Sequence, residues 1–341
     1  MTLSVIVPVY NMAADDKLSF CLDSLVNQTI SDYEIIAIDD CSTDNSLQIL
    51  KDYEARFPGK VRVFQTPENL HQGGAKNIGM NATKGEWIGF IDADDWVTPD
   101  FYERLLTKAN ETGADMVGCD YCLVHEHTFV PTKPEINNTP DQVGILDEDK
   151  YKSLLLDCGS LVVKIYRREI IIDHPGRFPE HIFYEDNALA RSWMLRAKHF
   201  EYIPEPLYFY YQHGDSTVHT ITTERLADRM EAGRVMIREA KENGYLEKYH
   251  DELEYSFAVL FYMNTLMSYL MMVRPRKIAW VKALGDEMRQ FFPNFLDNKY
   301  FKDRVHPEEQ KWAVMQQKNT TVFVLYYCLK SAYRKLRSKQ F

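Results

Sequence analysis

The 341-residue sequence predicts an α/β chain built on a mostly parallel, Rossmann-like sheet flanked by helices, followed by an α-helical C-terminal region. Two observations predict it. Short β-rich apolar runs alternate with helical patterns over the first 124 residues, as βα units do, and from Thr223 the pattern becomes helical almost to the end. With 45% hydrophobic residues the chain can bury a substantial core. The composition shift near residue 220 divides it into residues 1–220, with halves 1–124 and 125–220, and a helical region 221–341.

The strands are expected at Leu3–Val9, Tyr33–Asp39, Val61–Gln65, Glu86–Ile91 and Ala114–Val124, with helices near Lys17–Asn27, Asn45–Phe57, Gly74–Ala82 and Asp100–Thr112. Thr98 ahead of Pro99 reads as a helix cap, since proline lacks an N–H that a first turn does not need. Between His125 and Asp149 periodicity vanishes and prolines, asparagines and acids gather, predicting an extended connection at the sheet edge. Beyond it come a short helix, strand-like Ser160–Tyr166, a helix around Glu185–Leu195 and strand-like Leu207–Gln212. Pro275 and Pro293 split the remainder into separate helices. Tyr255–Val273 carries no charged residue, but its serines, asparagine, threonine and tyrosines favour a buried helix over a membrane span.

Charge and cysteine usage limit the function. A net charge of −10 argues against nucleic-acid binding, which calls for a basic surface, whereas one metal ion can neutralise a single nucleotide diphosphate. Six scattered cysteines and no basic-then-apolar leader predict a reducing, cytoplasmic setting, with Cys119 and Cys122 as ordinary strand residues.

In an open parallel sheet the ligand lies beyond the carboxyl ends of the strands. Tyr10-Asn11 follows the first predicted strand, Asp40-Cys41-Ser42-Thr43-Asp44 the second, and Asp92-Ala93-Asp94-Asp95 the fourth. In an extended segment residues two apart point the same way, so Asp92 and Asp94 can serve one hard cation such as Mg²⁺ or Mn²⁺. The bland alternative is that these acids mark a strand end and a cap, as for Asp95.

Val5-Ile-Val-Pro-Val-Tyr-Asn11, Ser24-Leu25 with Gln28-Thr29, Ile38-Asp-Asp-Cys-Ser-Thr-Asp44, Gly73 to Gly79 and Phe90-Ile-Asp-Ala-Asp-Asp95 together resemble the successive motifs of family 2 glycosyltransferases, over about the first 120 residues. The resemblance implies a GT-A fold, a nucleotide-sugar donor (a UDP-linked hexose or N-acetylhexosamine), a divalent cation (Mn²⁺ or Mg²⁺) and transfer with inversion. By position it implies that Pro8, Tyr10 and Asn11 line the nucleoside pocket, that Asp40, beside Asp39, contacts the base, and that Asp92 lies near the ribose or donor sugar. Asp94 becomes the main metal ligand, with Asp92 as a further one. Lys76 stands where the family commonly has arginine, keeping a charge near the diphosphate without the planar fork.

Inverting transfer needs a carboxylate at the acceptor hydroxyl. The segment Phe183-Tyr-Glu-Asp-Asn187 resembles the family's Glu-Asp pair at a helix start, which implies Asp186 as base ahead of Glu185, its neighbour on the donor side, the bland alternative being that both acids only satisfy the helix dipole. Tyr210, Tyr211, His213 and Ser216 resemble the loop that closes over the donor, His213 being either a metal or phosphate contact or a surface histidine. The implied acceptor is a glycan or lipid-linked hydroxyl in surface polysaccharide or glycolipid synthesis, and without a Gln-x-x-Arg-Trp motif a single-addition enzyme is expected. A nucleotide-sugar-binding protein without turnover is the alternative. Residues 320–339 join an apolar stretch to a basic one, which suits either a helix on the anionic inner face of the cell membrane or a last core helix with a solvated basic end.

Overall fold

The computed structural model describes residues 1–174, 176–212 and 221–337, with the side chains of the last helix as far as Tyr333. The chain forms two compact units, Met1–Thr217 and Val218–Phe341.

In the first unit, β1 (Leu3–Val9), α1 (Lys17–Val26), β2 (Tyr33–Asp39), α2 (Ser46–Arg56), β3 (Val61–Gln65), α3 (His71–Ala82) and β4 (Trp87–Phe90) follow one another as expected. Every residue of β1 and β2 is buried, which requires cover on both faces of the sheet and explains why they read as continuous apolar runs. The sheet order is β3-β2-β1-β4, continued by strands Lys164–Arg167, Met116–Val124, His199–Tyr211 and Trp96–Val97. Within it β1 pairs in parallel with β2 and with β4, and β2 with β3. Pairing with β4 ends at Ile6, so Pro8 occupies a stretch of β1 that β4 no longer flanks.

The second half of the sheet departs from the parallel expectation. Here lie β5 (Trp96–Val97), α4 (Phe101–Thr112), β6 (Met116–Val124), β7 (Pro134–Glu135), β8 (Gly144–Ile145), α5 (Glu148–Leu156), β9 (Lys164–Arg167), α6 (Arg168–Ile171), α7 (Glu185–Met194) and β10 (His199–Tyr211). β9 lies antiparallel between β4 and β6, β10 is parallel to β6, and β5 and β8 pair antiparallel with β10. β9 is shorter than its apolar pattern because the buried Lys164 ammonium binds the carbonyls of Cys158 (3.0 Å) and Ser160 (2.7 Å), curling the residues before it.

Two local expectations change. Thr98 does not cap α4, which begins three residues later. Gln28, two residues beyond α1, does that work, receiving the Tyr102 N–H (3.1 Å) and donating to the Thr98 carbonyl (2.7 Å). The connection after β6 is fastened to the sheet: Trp96 Nε1 donates to the Thr128 carbonyl at 2.8 Å, His127 stacks on Phe20 at 4.6 Å, and the Asn137 N–H reaches Asp120 and Tyr202, each at 3.0 Å.

The second unit is helical: α8 (Thr223–Glu242), α9 (Tyr245–Lys248), α10 (His250–Ser256), a π-helical stretch (Phe257–Met263), α11 (Asn264–Met272), α12 (Ile278–Phe291), α13 (Lys299–Arg304), α14 (Pro307–Lys318) and α15 (Thr320–Arg337). The uncharged Tyr255–Val273 segment buries Phe257, Phe261, Tyr262 and Leu266 in this unit. Among the described residues no helix is long and apolar enough to cross a membrane.

Gly79 lets α3 lie directly on the sheet: a Cβ there would meet Ile6 Cγ2 at 2.6 Å and Ile38 Cδ1 at 2.8 Å. Gly79→Val is expected to cost about 1–3 kcal/mol through overpacking, and its thermal midpoint should fall by roughly 3–10 °C. An unchanged midpoint would mean that α3 is free to shift.

Candidate active site

The loops after β1, β2 and β4 meet at one edge, beyond the carboxyl ends of parallel strands. Asn11, in the left-handed region at φ 54°, binds the first two together: its Oδ1 accepts from the Thr43 N–H (2.7 Å) and its own N–H donates to Ser42 Oγ (3.0 Å). Tyr10 beside it is exposed and Pro8 is buried in the strand.

The neighbours Asp39 and Asp40 have different tasks. Asp40 Oδ1 accepts from Thr66 Oγ1 (2.9 Å) and the Leu70 N–H (2.8 Å), holding the entry to α3. Asp39 Oδ2 accepts from Gln65 Nε2 (3.0 Å), while its buried Oδ1 has no partner among the described residues. Asp39 therefore carries a covered acceptor without a partner among the described residues, while Asp40, expected at the base, is engaged through Oδ1. Buried polar atoms are rarely left unmatched, so such an oxygen marks a place where a donor is expected.

Asp92-Ala93-Asp94-Asp95 is a turn closed by the Asp95 N–H on the Asp92 carbonyl (3.1 Å), so the two acids project from a bend and not from an extended strand. Asp95 is neither a cap nor a ligand candidate. Its buried carboxylate receives the Tyr208 hydroxyl (2.5 Å) and the Tyr211 N–H (2.9 Å), tying this turn to β10. Burial, with Asp94 and Asp92 nearby, pushes the Asp95 carboxyl well up. Asp92 Oδ1 is a second covered carboxylate oxygen without a partner among the described residues.

The start of α7 is drawn to this edge by α3. Asn77 forms a double strap to Phe178, donating from Nδ2 to its carbonyl (2.9 Å) and accepting its N–H on Oδ1 (3.0 Å). Gly73 lies against the Pro179 backbone, where a Cβ would overlap the carbonyl oxygen. Lys76 is buried and places Nζ 2.6 Å from Glu185 Oε1, also donating to Gln72 Oε1 at 3.2 Å. Its ammonium, expected at the diphosphate, is thus held by an equally buried Glu185. Asp186 follows, and its Oδ1 accepts from the Asn187 N–H (2.8 Å) and Nδ2 (2.9 Å).

These groups share one electrostatic environment. Burial, opposed by Lys76 and reinforced by Asp94, Glu185 and Asp186, pushes Asp92 up to about 7. Burial and Glu185 raise Asp186, against the pull of Lys76 and the Asn187 bonds. Lys76 loses solvation, yet Glu185, Asp92 and Asp186 outweigh that and hold it charged. The edge thus presents more carboxylate than its one buried lysine can neutralise, and a hard cation is the chemistry that suits such a donor set.

Five non-glycine residues with left-handed backbone, Asn11, Cys41, His71, His181 and Tyr184, lie on the loops and helix starts of this region. Strain of this kind collects at functional sites. His71 carries a buried Nδ1 without a partner among the described residues, beside Phe183 at 4.8 Å. Sequence reasoning passed over it, because the signals are a φ of 60° and a missing hydrogen bond. His213 and Ser216 lie outside the described residues.

Comparison with known proteins follows the same lines. The family model described as glycosyl transferase family 2 matches residues 4–174. The putative glycosyltransferase EpsH of Bacillus subtilis (strain 168) is 32% identical over 76% of this chain and 74% of its own length. The poly(ribitol-phosphate) beta-N-acetylglucosaminyltransferase TarS of Staphylococcus aureus (strain Mu50) is 27% identical over 62% of this chain, but over only 35% of its own. Among solved structures, S. aureus TarS 1-349 in complex with UDP-GlcNAc is similar with a TM-score of 0.69 at 21% identity, covering 98% of this chain and 92% of that one. The mannosyltransferase PcManGT from Pyrobaculum calidifontis, solved with GDP-Man and Mn²⁺, is similar at a TM-score of 0.51 and 14% identity, over 98% and 87% of the two chains.

Lys76→Met would leave Glu185 as an uncompensated buried charge and is expected to destabilise the chain by about 3–5 kcal/mol. Lys76→Arg, which keeps the charge, should recover most of that. Urea unfolding of the two variants beside the wild type checks it, and equal stability of Lys76→Met would show that the pair holds nothing in place.

Proposed function

The chain belongs to glycosyl transferase family 2, and on that premise we propose that it moves a sugar, with inversion, from a nucleotide-sugar donor to a hydroxyl of a glycan or lipid-linked acceptor in surface polysaccharide or glycolipid synthesis. The donor is a UDP-linked hexose or N-acetylhexosamine. One observation carries this reading: Lys76, Glu185 and the Asn77 strap bring Asp186 into the electrostatic environment of Asp92 and Asp94. A protein that only bound a nucleotide would not need a carboxylate from the acceptor half at that place.

Roles are assigned by what each group lacks. Asp39 Oδ1, buried and unmatched, takes the imide N–H of the uracil ring, with Tyr10 exposed beside the same loop to cover the base. Asp94 and Asp92 fit a divalent cation, Mn²⁺ or Mg²⁺, because Asp92 has an unmatched oxygen and a carboxyl that burial and its acidic neighbours push up to about 7. When bound, such a cation offsets the negative charge on the departing nucleoside diphosphate.

Asp186 takes the proton of the acceptor hydroxyl as that oxygen attacks the anomeric carbon. Its raised proton affinity moves it toward the range in which a carboxylate is an effective base. The Asn187 bonds on Oδ1 fix the orientation of the carboxylate and leave Oδ2 for the proton. Glu185, paired with Lys76, positions its neighbour. The likeness to a TarS structure solved with UDP-GlcNAc supports a UDP-sugar, and relatives named for poly(ribitol-phosphate) support a polymeric surface acceptor.

Release of nucleoside diphosphate from a panel of UDP- and GDP-sugars, with Mn²⁺, Mg²⁺ or a chelator, tests the donor and the cation: turnover with a UDP-sugar should vanish on chelation and return with metal. Asp186→Asn is expected to bind donor as the wild type does while transfer falls about 10²–10⁴-fold. Asp94→Ala should lose the cation-dependent part of donor binding as well. Full transfer by Asp186→Asn would refute the assigned base.

A further inference from the structure

α15 packs one face and exposes the other. Phe323 and Val324 are buried, and Tyr327 meets the Trp312 ring of α14 at 5.7 Å. On the opposite face Val322, Leu325, Leu329 and Tyr333, spaced three, four and four residues apart, form one stripe along the helix. These four are 54–74% exposed. A globular protein seldom leaves an ordered row of this kind to water without a partner.

The charge around it identifies the partner. Residues 320–341 hold five basic residues, Lys330, Arg334, Lys335, Arg337 and Lys339, and no acid, in a chain whose net charge is −10. A second exposed group lies at the turn between α11 and α12, where Met271, Met272 and Ile278 accompany Arg274 and Lys277. Arg276 joins that turn to α15, lying over the Tyr327 ring at 5.6 Å and donating to Cys328 Sγ at 3.4 Å.

We propose that the exposed face of α15 is a docking surface for an anionic lipid bilayer, the helix lying in the interface with Val322, Leu325, Leu329 and Tyr333 in the acyl boundary. The helix is eighteen residues long and it does not meet the requirement for a span, which leaves the in-plane orientation. A second copy of the chain fits the stripe less well. Lys330 is paired with Glu308 of α14, so a parallel pair of such helices would set the four remaining basic residues of the sequence's end against four, and an antiparallel pair would set each basic end beside an apolar one with no acid of the same segment to meet it. An anionic surface satisfies both the stripe and the charge. The inference goes beyond the transfer reaction and stands apart from it, since binding is read without donor or acceptor.

The test is co-sedimentation of the full chain with vesicles of phosphatidylcholine alone and of phosphatidylcholine mixed with phosphatidylglycerol. Binding is expected to the anionic vesicles and to weaken with added salt. Leu325→Ser with Leu329→Ser should lower it about tenfold or more. Lys335→Gln with Arg337→Gln should weaken it on anionic vesicles. Because the two leucines are exposed, an unchanged circular dichroism melt and unchanged nucleotide release are expected of that variant. No binding to anionic vesicles, equal binding by the leucine variant, or a dimer in sedimentation velocity that this variant converts to monomer would overturn the proposal.

Discussion

The Lys76 to Glu185 ion pair is the interaction on which the arrangement of the site depends. Two charges at contact distance in an environment of intermediate dielectric interact by several kcal/mol, so acids gathered at one sheet edge repel one another unless a cation stands among them. Lys76 is a cation that the chain itself places there, bonded to Glu185 and felt by Asp92 and Asp186. It neutralises only part of the set, and the remainder appears as carboxyls that hold their protons more tightly than usual. The geometry is therefore poised for charge from outside, and Asp92 Oδ1 is where the shortfall is visible as a covered oxygen without a donor.

α3 makes that placement possible. Gly79 brings the helix onto β1 and β2, and Gly73 brings the Pro179 backbone onto the helix, so that Lys76 and Asn77 can reach Glu185 and Phe178. A side chain at either glycine would push apart elements that the ion pair must join. The cluster of small residues thus has a packing reason that is distinct from any contact with phosphate, and the arginine commonly found in place of Lys76 would sit on the same helix face.

Much of this was legible in the sequence and some was not. Strands with both faces covered carry mostly apolar runs, so β1 and β2 have the limits expected of them, as does the half-exposed edge strand β3. The convergence of three loops on one edge follows from the parallel order of those strands. What the sequence did not disclose depends on long-range partners. Asp39 and Asp40 are adjacent and chemically identical, and only the positions of Gln65, Thr66 and Leu70 decide which donors each receives. Lys76 stands 109 residues from Glu185, and no periodicity links them. Likewise Gln28 takes the place of Thr98 at the start of α4 from 74 residues before Tyr102, and β9 enters the sheet antiparallel, which a pattern of alternating units does not announce.

The place of β10 in the sheet has a consequence for the order in which the molecule acquires its shape. β10 supplies the neighbour of β6 and the strand partner of β5, and its Tyr208 and Tyr211 hold Asp95. Yet it ends at Tyr211, more than a hundred residues after the turn that it secures. Contacts of such sequence separation form late. During synthesis the acidic turn after β4 must therefore wait, without its hydroxyl and amide donors, until the last strand has emerged. A nascent chain stopped short of that strand holds the residues of the acidic edge without the clasp that shapes them, so that edge and the complete first unit mature in a single event.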